Sequence, residues 1–111
     1  MSYVPNRGDI VWLNFTPQAG HEQMGTRPAL VLSPEKYNKK TGLAVCCLIT
    51  SNVKGYPFEV IVSGKNINGA VLSDHFKNLD WKVRKAKFIE KASKDVVAHC
   101  SMKISALLIQ A

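Results

Sequence analysis

The chain lacks a membrane segment, a disulfide framework and a metal-binding cluster. Its longest apolar run, Leu43 to Ile49, falls far short of the roughly 20 residues that a bilayer-crossing helix takes. Residues 1–7 (MSYVPNR) contain no apolar stretch of the secretory kind, so a cytoplasmic protein is expected. Cysteine is scarce: Cys46, Cys47 and Cys100 are an odd number with an adjacent pair, which suits free thiols in a reducing compartment rather than paired ones. There is no C-x-x-C, and His21, His75 and His99 are scattered, so neither a structural metal nor a cofactor is expected. Acidic residues are few as well. Eight Asp and Glu face fifteen Lys and Arg, for a formal charge of +7. A small domain this basic is drawn to polyanions by its long-range field. Nucleic acid, an anionic membrane and an acidic protein are the candidate partners, and the membrane is the weakest of them. The same charge also serves solubility alone.

What is present fits one domain over residues 1–111, long enough to bury a core without disulfide staples. The hydrophobic fraction of 46% is that of an ordinary soluble protein. Short segments rich in β-formers fill the first two thirds. They are Asp9–Thr16, Pro28–Ser33, Leu43–Thr50 and Phe58–Ser63, with weaker signals at Gly69–Asp74 and Val83–Ile89. Leu43–Thr50 is apolar on both faces, as in a strand covered on both sides. Turn residues separate the segments, Asn68-Gly69 among them. The pattern predicts a mainly β fold, a small antiparallel barrel. From Val96 the period changes: Val96, Val97, Cys100, Ile104, Leu107 and Leu108 share one helical stripe, with Ser93 placed to cap the helix. This C-terminal helix should lay its stripe on the barrel.

Two polar connections and one basic stretch carry residues suited to chemistry. Gly20 to Pro28 holds His21, Glu22 and Arg27 within seven positions. As a site, it offers a guanidinium whose planar fork fits phosphate beside a proton acceptor. On spacing alone it reads better as a solvated loop with a weak ion pair. Thr50 to Phe58 places Thr50, Ser51, Asn52 and Lys54 where they could hold phosphate oxygens, and Tyr56 where it could stack on a base. Its alternative is a polar turn with Tyr56 and Phe58 as lid and core. Trp81 to Phe88 interleaves Lys82, Arg84, Lys85 and Lys87 with aromatics. It reads as a nucleic-acid track or as an exposed strand with charged edge positions.

Several of these pieces occur in series. Gly8-Asp9 with Trp12, Glu22-Gln23, Arg27-Pro28-Ala29-Leu30-Val31-Leu32-Ser33-Pro34, Tyr37-Asn38 and Lys54-Gly55-Tyr56-Pro57-Phe58-Glu59-Val60 together resemble the MazF/PemK/Kid family of toxin endoribonucleases, from about Tyr3 to Ile109. The resemblance implies an SH3-like β-barrel of the PemK/CcdB type with a C-terminal helix. It implies a homodimer, cleavage of single-stranded RNA (mRNA) at defined sequences, and inhibition by an acidic antitoxin protein. It places Arg27 and Thr50 on positions that carry catalysis, and Glu22 on one important for activity. His21 and Thr26 stand where Ser and His are usual in the family. Asp74 lies near a position that Kid-like members use in catalysis, with Leu72 or Ser73 in place of the neighbouring arginine.

The chemistry of RNA self-cleavage fits these residues. The 2′-OH attacks the adjacent phosphorus, and an enzyme need only accept one proton, donate another and stabilise the phosphorane oxygens. Arg27 and Thr50 are the candidates for the charge, and Glu22 for the proton or for orienting Arg27. Lys54, Tyr56, His21, Asn52, Lys82 and Arg84 are the candidate RNA contacts. No metal is needed, and the ends would be a 2′,3′-cyclic phosphate and a 5′-OH. A CcdB-like toxin that poisons gyrase is the alternative, but such proteins act through a C-terminal Trp-Gly-Ile tail and this chain ends Leu107-Leu108-Ile109-Gln110-Ala111. A non-catalytic RNA-binding barrel would need neither Arg27 nor Thr50.

Overall fold

The β-formers of the first two thirds pair as one antiparallel sheet. The computed structural model describes residues 3–15 and 25–109. Among these, the strands are β1 (Asp9–Asn14), β2 (Thr26–Val31), β3 (Leu43–Thr50), β4 (Glu59–Ser63), β5 (Asn68–Asp80) and β6 (Lys87–Lys91). The helices are α1 (Glu35–Thr41) and α2 (Lys94–Ile109). The strand order is β4-β5-β3-β2-β1-β6. The sheet curls into a half-barrel with β4 and β6 as its edges. A carboxylate bridges them: Glu90 of β6 accepts the N–H groups of Lys65, Asn66 and Ile67, in the turn after β4, at 2.9, 2.9 and 2.8 Å.

Both faces of the sheet are covered, which is why Leu43–Thr50 is apolar throughout. On one face Ile10, Leu30, Cys47, Ile49 and Val71 pack beneath α2 around Cys100. On the other, Val11, Leu13, Ala29, Val31 and Cys46 gather around Trp81. Leu13 and Leu30 are fully buried, each worth about 1.5–3 kcal/mol of transfer free energy. All three cysteines are free and buried. Burial pushes the Cys46 thiol up to about 12 and the Cys100 thiol up to about 11, so they pack as small hydrophobes.

Ser93 caps α2 as expected, its Oγ accepting the Val96 N–H at 3.2 Å. The stripe is core only as far as Ile104: Leu107 and Leu108 are 47% and 65% exposed, and Leu108 borders an open groove with Val45 of β3 and Phe76 of β5.

Several elements differ from the sequence expectation. The strand expected at Pro28–Ser33 starts and ends two residues earlier. Ser33 instead serves the connection, its Oγ donating to Asn38 Oδ1 and accepting the Val45 N–H. Helix α1 was not anticipated. Its sole buried residue is polar: Asn38 donates to the carbonyls of Pro5 and Ser33 at 2.8 and 3.0 Å, and its own carbonyl accepts Trp81 Nε1–H at 2.9 Å. Strand β5 runs on to Asp80 rather than stopping at Asp74. An irregularity opposite Cys47–Ile49 switches the alternation, so that Val71 and Phe76, five apart, both pack on the α2 face. The basic stretch is a turn, not the start of a strand. Asp80 Oδ1 accepts the N–H groups of Lys82 and Val83 at 3.1 and 2.9 Å, which delays β6 to Lys87.

Candidate active site

Strand β3 ends at Thr50, and the chain leaves the sheet there. Thr50 Oγ1 accepts the Asn52 N–H at 3.1 Å, which fixes the hydroxyl oxygen and leaves its proton to be donated outward. The following turn is anchored from three elements. Glu59 Oε1, at the start of β4, accepts the N–H groups of Lys54, Gly55 and Tyr56 at 3.2, 2.9 and 3.2 Å. Tyr56 Oη donates to Asp74 Oδ2 of β5 at 2.8 Å. Lys103 Nζ of α2 donates to the Pro57 carbonyl at 2.6 Å. Gly55 has φ +78°, a left-handed conformation that glycine adopts without strain.

Around this turn is a cleft of about 500 Å³, lined by Thr50, Asn52, Lys54 and Tyr56 together with Glu59, Leu72 and His75. Its electrostatics are mixed. The Asp74 carboxylate pushes the Tyr56 hydroxyl above its ordinary pKa, chiefly by accepting its hydrogen bond, so the phenol stays a neutral donor. The other Asp74 oxygen, Oδ1, is buried with no hydrogen-bond partner among the described residues, and His75 Nε2 stands 3.9 Å from it.

Arg27 approaches from the neighbouring strand. It lies in β2 opposite Leu13 of β1. The β2–β3 ladder pairs Ala29 with Leu48 and Val31 with Cys46; carried two residues further, the same register sets Arg27 opposite Thr50. Alternation along β2 puts Arg27 on the sheet face of Ala29 and Val31. Both residues are therefore at one end of adjacent strands. Gly69 backs this end from β5: a Cβ there would lie 2.1 Å from the Thr50 carbonyl oxygen, so only glycine lets β5 come this close. The Asn68-Gly69 pair is thus the start of a strand rather than the tip of a hairpin.

Four of the residues singled out in the sequence, Thr50, Asn52, Lys54 and Tyr56, come together on the cleft. Arg27 is outside its lining but at the same end of the sheet. Lys82 and Arg84 stand apart on the turn before β6. There Lys82 Nζ lies 5.5 Å from the centre of the Trp81 ring, and the Arg84 guanidinium lies 4.5 Å from that of Phe15. The Arg84 carbonyl accepts the Asn14 N–H at 2.8 Å, which ties this turn to the end of β1 that pairs with Arg27 and Thr26. His21 and Glu22 lie outside the described residues. Sequence reasoning passed over Glu59, His75 and the close approach at Gly69. Glu59 had one legible sign, a carboxylate four residues after a turn glycine.

Gly8 and Asp9 of the N-terminal motif are structural. The Asp9 carboxylate takes Lys91 Nζ at 2.6 Å, the Asn6 N–H at 2.9 Å and the Tyr3 hydroxyl, and Gly8 has φ +93°.

Residues 6–108 match the family described as PemK-like, MazF-like toxin of type II toxin–antitoxin systems. The chain is 50% identical over 84 residues to the endoribonuclease toxin MazF of Escherichia coli K12, covering 76% of each protein. It is 33% identical over 107 residues to the endoribonuclease PemK of Escherichia coli, covering 92% of this chain and 80% of that one. Among solved structures, it superposes with a TM-score of 0.91 on the crystal structure of MazE-MazF (Form-II) from Deinococcus radiodurans, at 52% identity over 99% of this chain and 100% of that one.

Proposed function

The chain belongs to the PemK-like, MazF-like family of type II toxins, and from that premise we propose the chemistry and the partners of its site. It is a toxin of a toxin–antitoxin pair and an endoribonuclease. Its substrate is single-stranded RNA, cut at defined sequences by attack of the 2′-OH on the adjacent phosphorus. The observation that carries this reading is the meeting of Thr50, Asn52, Lys54 and Tyr56 on one cleft, at the end of the sheet where Arg27 lies.

The roles follow from the groups. The Thr50 hydroxyl donates to a phosphate oxygen. Arg27 stabilises the charge that grows on the phosphorane, where a planar, permanently charged fork is worth most. Glu22, one loop away in sequence, accepts the 2′-OH proton or orients Arg27. Lys54 holds the RNA backbone, and Tyr56, 46% exposed, stacks on a base. Asn52 adds a contact at the cleft, His21 is a further RNA contact, and Lys82 and Arg84 extend the cationic track along the turn after β5. Cleavage needs no metal and leaves a 2′,3′-cyclic phosphate and a 5′-OH.

The toxin acts as a homodimer in the cytoplasm. Leu107 and Leu108, at the end of the α2 stripe, are 47% and 65% exposed, apolar surface that a second copy would cover. No described helix is long and apolar enough to cross a membrane. Its inhibitor is an antitoxin with an acidic, disordered segment that fills the cleft, covers Arg27 and Lys54, and folds as it binds. RNA and that segment should therefore compete, and apolar anchors should make the antitoxin the less salt-sensitive of the two. Titration of a labelled, uncleavable single-stranded RNA with the acidic segment tests this. Displacement is expected; simultaneous binding at full affinity would put the inhibitor elsewhere. Equal cutting of duplex and single-stranded RNA would contradict the substrate.

A further inference from the structure

We propose that Glu59 is a positioning residue for RNA: its carboxylate shapes the 54–58 turn so that Lys54 and Tyr56 are presented to the substrate. The proposal rests on the endoribonuclease reading of the same cleft. Its basis is the convergence of three consecutive N–H groups on one side chain. Oε1 takes Lys54, Gly55 and Tyr56, Oε2 takes Lys54 again at 3.2 Å, and the Tyr56 carbonyl accepts the Glu59 N–H at 3.0 Å. Such a run of N–H groups is an anion-binding nest. Here the chain fills the nest with its own carboxylate.

Two consequences follow. The anchor is stiff, because Glu59 pairs with Leu72 of β5 and the neighbouring Phe58 carbonyl accepts the Ser73 N–H at 3.1 Å. The turn therefore inherits the order of the sheet although it is solvent-exposed. And because the N–H groups are occupied, an RNA phosphate cannot settle in the nest and draw the backbone out of register. Phosphate contact is left to the Lys54 side chain, base contact to Tyr56. Glu59 lines the same cleft as Thr50, so the competing role is direct proton transfer.

Glu59→Ala and Glu59→Gln separate these roles when kcat and KM are measured across pH on a fixed single-stranded RNA, alongside amide hydrogen exchange at 54–56. In Glu59→Ala, KM should rise about tenfold, the scale of one lost charge-assisted hydrogen-bond set, with kcat changed much less. Exchange at 54–56 should accelerate. Glu59→Gln keeps a carbonyl oxygen for the nest and should restore most of the KM, with the pH profile of kcat unchanged. Equal collapse of kcat in both variants, with loss of the acidic limb of the profile, would make Glu59 a proton-transfer group and overturn the proposal. An unchanged KM and unchanged exchange in Glu59→Ala would overturn it as well. A wild-type chain that cut no RNA would remove the endoribonuclease reading and this inference with it. That failure is distinct, because exchange at 54–56 would still report whether Glu59 holds the turn.

Discussion

At one end of β4, Glu59 draws in the N–H groups of Lys54 to Tyr56; at the other, Glu90 does the same for Lys65 to Ile67. Glu59 acts across three to five residues, whereas Glu90 reaches across 23 to 25 and ties β6 to the turn beyond β4. The Glu90 end is crowded at the turn itself, where a Cβ on Gly64 would lie 2.7 Å from the Glu90 carboxylate, with a cavity of about 460 Å³ beside it lined by Val62, Gly64 and Glu90. The Glu59 end is open, with Lys54 and Tyr56 in solvent around the cleft. One device, a carboxylate in a backbone nest, thus closes the fold at one end and shapes the site at the other. If that division is right, substitutions should sort into those that cost activity and those that cost stability.

The largest effect should come from Arg27, at the open end. Arg27→Ala should slow cleavage about a hundredfold or more, with the urea midpoint little changed. Arg27→Lys should not restore full activity, because the bidentate fork is gone. Near-wild-type cutting by Arg27→Ala would move the chemistry away from this end.

Gly69→Ala should blur the division. Its Cβ meets the Thr50 backbone, so it should destabilise the fold by about 1–3 kcal/mol and also slow cleavage under conditions where the chain remains folded. A variant of normal stability and normal rate would mean that β5 and Thr50 separate at no cost.

Glu90→Gln probes the closed end alone. Hydrogen bonds from the Asn66 N–H, and then from those of Ile67 and Lys65, hold the Glu90 carboxyl below its ordinary 4.5 in the folded chain. The unfolded chain therefore takes up the proton first as pH falls. The stabilisation is complete above about 4.5 and is lost as pH drops through the folded value. Urea midpoints measured over that window should fall less steeply with acid in Glu90→Gln than in wild type. Cleavage at neutral pH should match wild type; a large loss would join the two ends after all.

The smallest effects should come from Lys82→Ala and Arg84→Ala. Each should weaken RNA binding modestly and lower the slope of log affinity against log salt by about one. Unchanged slopes would take that turn out of the RNA path.

The sheet was largely legible in the sequence because runs of β-formers and turn chemistry agreed for β1, β3 and β4, and Ser93 marked the start of α2. What escaped notice was set by polar partners distant in sequence. Helix α1 has no apolar stripe; its single buried residue, Asn38, is held by Pro5, Ser33 and Trp81. The second half of β5 was hidden because the alternation of Val71 continues out of phase at Phe76. At the site, Thr50, Asn52, Lys54 and Tyr56 were readable as a cluster because they are contiguous. Glu59 and Gly69 were not, since each acts on backbone atoms of another segment, and no residue type announces such a contact.

The most direct test is to incubate the wild-type chain with a long single-stranded RNA in EDTA and map the new ends. Site-specific cuts with 2′,3′-cyclic phosphate upstream and 5′-OH downstream are predicted. Cleavage that stops in EDTA and returns with magnesium, or that leaves 5′-phosphate and 3′-OH ends, would contradict a site in which Arg27 and Thr50 stabilise attack by the RNA's own 2′-hydroxyl.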